Sequence, residues 1–295
     1  MKFSIPIEPD KEGYMERECP ACEKYFKVKP GTGISGIPDC HCPYCNHVGL
    51  HDTFWTRQQI EYAQSVALHQ ISGEFIKDLK KLERKPDRNA FLSIGITVKG
   101  NPTPIAHYSE KELEEKVTCK NCTLDYAIYG AFAYCPDCGI HNSLQILNAN
   151  FDLVLKMLAL AGSADESVQA KLIENALEDS VSAFDGFGRE HCSSIYKKIS
   201  FQNIDAAKDM IRTDHGFDIS DGLSVNEWKY LSEQFQKRHL LAHRMGIIDE
   251  EFSRKTGCSR SFIGRKVIIT DENVRVLVQN LMTVAQNIYK YISRS

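Results

Sequence analysis

The stretch "CKNCTLDYAIYGAFAYCPDC", Cys119 to Cys138, decides how the first half of this chain is built. It holds two C-x-x-C pairs, separated by a twelve-residue insert whose β-branched and aromatic residues surround Gly130, the pattern of a hairpin between the pairs. Two such pairs facing each other present four soft thiolates in a tetrahedral array, the set that Zn²⁺ prefers at a Zn–S distance of roughly 2.3 Å. Upstream, "CPAC" (Cys19, Cys22) and "CPYC" (Cys42, Cys45) repeat the device. Eight of the 11 cysteines therefore group as two four-cysteine sites, Cys19, Cys22, Cys42, Cys45 and Cys119, Cys122, Cys135, Cys138.

Each set resembles a zinc ribbon. The first has a nineteen-residue insert containing the Gly- and Pro-dense loop "KPGTGISGIPD". Cys40, His41 and His47 lie close enough in sequence to replace a ligand there or to hold a second ion. A disulfide framework would need an oxidising compartment, and the start "MKFSIPIEPDKEGYMERE" lacks the apolar core of a signal peptide. A redox role explains four pairs at ribbon spacing less well than metal does. Sites closed by four thiolates leave no position for water or substrate, so two structural Zn²⁺ ions per chain are expected and no catalytic one. Cys192 and Cys258 stand outside the pattern and read as ordinary thiols.

The rest of the composition sets outer limits. A chain of 295 residues with 42% hydrophobic content predicts two or three folded units. Apolar runs are shorter than the roughly 18 residues that span a bilayer, which makes a cytoplasmic protein without membrane contact the expectation. The formal net charge of −3 argues against a polyanion-binding surface over the whole chain and leaves only a local patch for nucleic acid.

Between the ribbons, Ile60, Ala63, Ala67, Ile71, Phe75 and Leu79 recur three or four residues apart, predicting an amphipathic helix or two broken near Gly73. "KPD" at Lys85 ends it, and "AFLSIGITVKG" then reads as a strand. From Ala149 onward the pattern is helical. "NFDLVLKMLALAG" is apolar all round and should be buried. A second segment carries a stripe of Leu172, Ala176, Val181 and Phe184, and "LSVNEWKYLSEQFQKRHLLAHRMG" opens with a capping box of Ser224 and Glu227. A last helix begins near Thr270 or Asp271, with Val274, Leu277, Val278, Leu281, Ala285 and Ile288 on one face. The fold class expected is α+β: ribbons with small hairpins, then an antiparallel helical bundle. Its parts would be 1–56, 57–116, 117–148 and 149–295.

Within the bundle, "KRHLLAHR" (Lys237 to Arg244) needs its own account. Trp228, Leu231 and Phe235 mark a buried face that Arg238 and Ala242 would continue, which buries an arginine at a cost of several kcal/mol unless it is paired or faces a wet cleft. His239 and His243 stand one turn apart, whereas Arg238 and His243 are separated by about 140° around the axis and about 7.5 Å along it. Three readings stay open. Carboxylates such as Asp179, Asp185 or Glu190 satisfy these groups; or the two histidines ligate zinc as H-x-x-x-H, although Leu240 stands where a hydrolytic zinc helix needs Glu; or the stretch cleaves RNA.

Arg238, a polar residue, three more residues and then His243 form the R-x4-H signature, and the region 150–295 resembles the HEPN superfamily on that signature, its late position in a long helix, the basic Gly-containing loop "RMGIIDEEFSRKTG" and the final helix. The resemblance implies a metal-independent endoribonuclease acting as a homodimer whose paired signatures share one cleft, or a member that has lost activity and only binds; phage defence or a toxin-like role is implied by the family alone. His243 would handle the proton of the 2′-hydroxyl, Arg238 the phosphate, and His239 would be a second acid/base or an orienting group. From Lys237 to Lys266 eight basic residues (Lys237, Arg238, Arg244, Arg254, Lys255, Arg260, Arg265, Lys266) face three acids, a local net charge of +5 suited to RNA. The alternative is a non-catalytic module in which the ribbons bind nucleic acid or a protein partner or regulator and the bundle dimerises.

Overall fold

A computed structural model describes residues 5–36, 39–84, 96–108 and 115–292. The chain divides into two compact units, Met1–Ile140 and His141–Ser295. It is a mixed α+β protein with small antiparallel sheets in the first unit and helices in the second.

In the first unit, β1 (Met15–Glu18) runs into the knuckle Cys19–Cys22 and returns as β2 (Tyr25–Val28), with Met15 opposite Val28. One hundred residues later the motif recurs: β5 (Glu115–Thr118), the knuckle Cys119–Cys122, then β6 (Asp125–Ile128), with Glu115 opposite Ile128. β2 and β6 pair antiparallel through Lys27 with Ala127 and Val28 with Tyr126, giving one sheet in the order β1-β2-β6-β5. The two ribbon-like halves are therefore one sheet, not separate modules. The duplication shows in the core as well, where Phe26 and Tyr126, and Val28 and Ile128, occupy equivalent buried positions. The expected hairpin between the second pair of knuckles is not what forms. β6 pairs back across its own knuckle with β5, and beyond the turn at Gly130 (φ +85°) Tyr134 N donates instead to Pro43 O at 2.9 Å, joining the other half.

Between these motifs lie the two-stranded β3 (Cys40–His41) and β4 (Val48–Gly49), and a helix, α1 (Arg57–Lys80), that Gly73 does not break. Thr56 and Gln59 cap α1 reciprocally. Its predicted apolar face is mostly uncovered: Ile60, Ile71 and Phe75 are exposed, because the side that is packed carries Ser65, His69 and Ser72 hydrogen-bonded to the extended segment at Thr103 and Ala106. The predicted strand at 90–100 falls largely outside the described residues; Ile96 forms a lone bridge with Arg84.

The second unit begins earlier than residue 149, with α2 (Ser143–Ala161), followed by α3 (Glu166–His191), α4 (Ile204–His215), α5 (Val225–Arg244), α6 (Glu250–Thr256) and α7 (Asp271–Ile292). α3 and α7 form its centre: α2 packs on both, as does α5. A continuous core joins Leu147, Phe184, Phe201, Phe235 and Leu281. α2 is not buried all round, since Leu153 and Leu160 are exposed: only the side toward α3 and α7 is covered. By length and composition alone α2 is also apolar enough to cross a membrane, contrary to the expectation that no segment would be. The predicted caps form: Ser224 with Glu227 on α5, and Thr270 at the head of α7, where its Oγ1 accepts from Asn273 N at 3.2 Å.

Candidate functional site

Each of the four knuckles closes by the same turn. The residue after the second cysteine has positive φ in every case: Glu23 (+56°), Asn46 (+54°), Thr123 (+64°) and Gly139 (+65°). Its N–H donates to the carbonyl of the first cysteine at 2.9–3.0 Å, and that cysteine's own N–H donates to the residue two beyond the knuckle. The turn aims backbone donors at sulfur, as where Ala21 N meets Cys19 Sγ and Tyr44 N meets Cys42 Sγ, each at 3.4 Å.

These turns bring the cysteines together as two groups, Cys19, Cys22, Cys42, Cys45 and Cys119, Cys122, Cys135, Cys138, in each of which all Sγ atoms lie within 4.8 Å of one another. The closest separations are 3.7 Å for Cys19–Cys45, Cys22–Cys42 and Cys119–Cys138, and 3.4 Å for Cys122–Cys135. All are far beyond a disulfide bond and all eight thiols are free. Regular tetrahedral coordination at a metal–sulfur distance of about 2.3 Å requires sulfurs about 3.8 Å apart, so both groups fit one thiophilic metal ion each.

Burial and hydrogen bonding pull these thiols in opposite directions. Burial raises Cys19 and Cys119, but hydrogen bonds from the knuckle backbone and from neighbouring cysteines together outweigh it and their net shift is downward. Burial pushes Cys42 and Cys135 up, toward the protonated thiol, a shift that a bound cation would oppose. Neither Cys40, His41 nor His47 joins the first group. Cys40 is fully buried, with burial pushing its thiol up to about 12, and His41 Nδ1 lies 3.1 Å from Asn46 Oδ1.

On α5 the expected burial is corrected. Leu231, Gln234, Phe235, Lys237 and Leu240 are the buried residues, while Ala242 is exposed. The last turn packs on a small second core formed with Ile248, Phe252 and Val267, which draws in Leu240 and with it the stem of Lys237 rather than Ala242. Arg238 is only partly buried and makes no ion pair among the described residues. Its terminal NH1 donates to Gln202 Oε1 at 3.4 Å, and its buried Nε has no hydrogen-bond partner among the described residues.

Of the carboxylates considered for it, Asp185 is engaged elsewhere: it accepts from Phe201 N at 2.7 Å and pairs with Arg189 at 3.3 Å. The amide of Gln202 links the two systems, donating to Asp185 Oδ2 at 3.3 Å. His239 and His243 are exposed with ring centroids 4.7 Å apart. They form no metal-ligand group with a third residue among the described ones.

Four of the seven basic residues expected to meet nucleic acid are already paired with acids: Lys237 with Glu233 (3.2 Å), Arg244 with Asp249 (3.7 Å), Lys255 with Glu251 (2.8 Å) and Lys266 with Glu174 (2.6 Å). Arg254, Arg260 and Arg265 are exposed and make no ion pair among the described residues. Residues that sequence reasoning passed over include Gln202, which reaches Arg238 from 36 positions away with no motif to announce it, and Phe262, whose ring lies 5.5 Å under the Arg265 guanidinium.

Compared with protein-family models, curated proteins and solved structures, the chain matches none. What the geometry itself defines is a two-unit protein: a duplicated four-cysteine unit able to hold two metal ions, and a helical unit with an arginine–histidine surface at one helix end.

Proposed function

We propose that the chain is a metal-independent endoribonuclease of HEPN type whose first unit is held by two structural zinc ions. One observation carries the reading: a partly buried arginine that pairs with no carboxylate among the described residues stands at the head of two exposed histidines on the same helix end. A guanidinium in that state is suited to an external anion, and its flat fork of donors matches phosphate better than an ammonium does.

The chemistry then follows from RNA itself. His243 takes the proton of a 2′-hydroxyl as that oxygen attacks the adjacent phosphorus. Arg238 offsets the charge growing on the phosphate, and His239 returns a proton to the departing 5′-oxygen, leaving a 2′,3′-cyclic phosphate. Because Arg238 and His243 lie about 140° apart on one helix, a second copy related by a twofold axis completes the cleft, so the active form is a homodimer through the helical unit. Zinc is the metal that suits four thiolates in closed sites, with protein or nucleic-acid recognition as the ribbons' further role. The reaction is placed in the cytoplasm, in defence or toxin-like RNA cleavage.

The test is cleavage of single-stranded RNA in EDTA, under conditions where the ribbons keep their metal. His243→Ala and Arg238→Ala should each lower the rate by roughly 10²-fold or more while remaining folded and dimeric, and 2′-O-methyl RNA should be inert. Folded variants that cleave like the parent would overturn the assignment.

The four cations already paired with acids favour a second reading, a non-catalytic binding module. Tight RNA binding without cyclic-phosphate product would select it.

A further inference from the structure

α5, α6 and the segment after it line an open, shallow cavity of about 440 Å³. Its floor is apolar, with Ile248, Phe252 and Val267 buried. Phe262 stands at its edge, 45% exposed, with the Arg265 guanidinium across its ring. On its wall an ammonium and a carboxylate stand side by side, Lys237, 9% exposed, and the partly exposed Glu233, 3.2 Å apart. The cavity is separate from the histidine surface, since Lys237 and His239 point about 160° apart around α5.

We propose that this cavity receives one unpaired nucleobase of a single-stranded RNA. Its volume suits a single nucleotide-sized group. The exposed phenyl ring and its guanidinium give a base a face to stack on, which is sequence-tolerant. A donor next to an acceptor, Lys237 beside Glu233, matches the Watson–Crick edge of a base, an edge that a duplex hides. The carboxylate keeps phosphate out of the interior, whereas Arg265 and Arg260 at the outside, both free of ion pairs among the described residues, suit the flanking phosphates. A strand lying across the last turn of α5, about 10 Å wide, meets both this cavity and His243. The choice of RNA rests on the ribonuclease reading; the base-binding cavity does not.

The experiment uses the full chain and fluorescence anisotropy with a labelled 2′-O-methyl RNA strand, which cannot be cleaved, its duplex of the same sequence, and a polyglutamate peptide as competitor. The strand should bind about 10-fold or more tighter than the duplex; Phe262→Ala should weaken strand binding by roughly 5- to 100-fold, the loss of one stacked base, and Phe262→Tyr should restore it. Arg265→Glu, a change at an exposed position, should also weaken binding and lower its salt dependence by about one phosphate contact.

Equal binding by the parent and both loss variants, or equal affinity for duplex and strand, overturns the proposal. Displacement of the strand by polyglutamate, with peptide binding itself sensitive to Phe262→Ala, assigns the cavity to an acidic protein segment instead and likewise overturns it. Its fate separates from that of the nuclease reading. A parent that never cleaves RNA but loses strand binding through Phe262→Ala keeps the cavity and sinks the nuclease. Cleavage abolished by His243→Ala but fully retained, with binding, in Phe262→Ala does the reverse.

Discussion

Glu23, Asn46, Thr123 and Gly139 occupy one structural position four times over, and only glycine is at ease there. Asparagine tolerates the left-handed region, and Thr123 gains a partial compensation as its hydroxyl donates to Cys122 O at 2.6 Å. Glu23 has the least in return: an exposed contact with Arg57 at 3.5 Å, of the kind worth a fraction of a kcal/mol. Glu23→Gly should therefore stabilise the metal-loaded protein by about 0.5–1 kcal/mol after the chain entropy of glycine is counted. Thr123→Gly should gain less. Thermal melts with metal present would show this as a small upward shift, and a downward shift for Glu23→Gly would refute it. At this scale the cysteines were legible because ligand spacing is local. The strained residue after each pair was not, since Glu, Asn, Thr and Gly share no chemistry, only a backbone angle.

Among the elements, α3 shows the tightest fit. A Cβ at Gly188 would lie 2.3 Å from the Phe201 ring, itself wholly buried and edge-on to Phe184 at 5.7 Å. Gly188→Ala should cost about 1–3 kcal/mol through overpacking, read as a lower urea midpoint at constant slope. No loss of stability would mean that Phe201 has room to turn. This glycine sits in the last turn of α3, where sequence reasoning sees only a weak helix former, and the reason for it comes from residue 201.

The same limit governs α1 and α5. Periodicity located both helices and the capping box at Ser224, yet the face each buries is set by segments outside the helix itself: Thr103 and Ala106 beside α1, Ile248 and Val267 beside α5. Lys237 rather than Ala242 is buried for that reason. Partner contacts of Arg238 were equally hidden, because Gln202 belongs to no pattern.

For the whole molecule, a buried and a half-buried histidine set a pH limit. His191 is stacked between Phe187 (5.5 Å) and Tyr289 (4.8 Å), its Nδ1 3.1 Å from Ser143 Oγ, while His141 Nδ1 accepts from Ser143 N at 3.2 Å. Burial pushes both rings down to about 4, and for His141 the neighbouring His191 adds to the shift. Unfolded histidines titrate near 6.5, so as pH falls the unfolded chain takes up protons first. The stabilisation is whole above about pH 6.5 and is lost between about 6.5 and 4, at up to roughly 1.4 kcal/mol per pH unit for each ring. Helical melts should drop in midpoint from pH 7 to pH 5, and His191→Phe, which keeps the stack, should flatten that dependence. An unchanged slope in the variant would assign the acid sensitivity elsewhere.

The shared sheet of the first unit has a consequence for how metal is taken up. β2 belongs to one cysteine group and β6 to the other, and they are hydrogen-bonded neighbours at the centre of the sheet. An ion that orders one knuckle pair thereby lays down the template strand on which the other half assembles, and metal binding and folding are one process in such sites. Loading should therefore be all-or-none. In titrations of the metal-free chain, half-equivalent metal should yield a mixture of empty and doubly filled molecules by native mass spectrometry, with singly filled species scarce. A statistical distribution of one-ion forms would mean that the two halves fold independently of their common sheet.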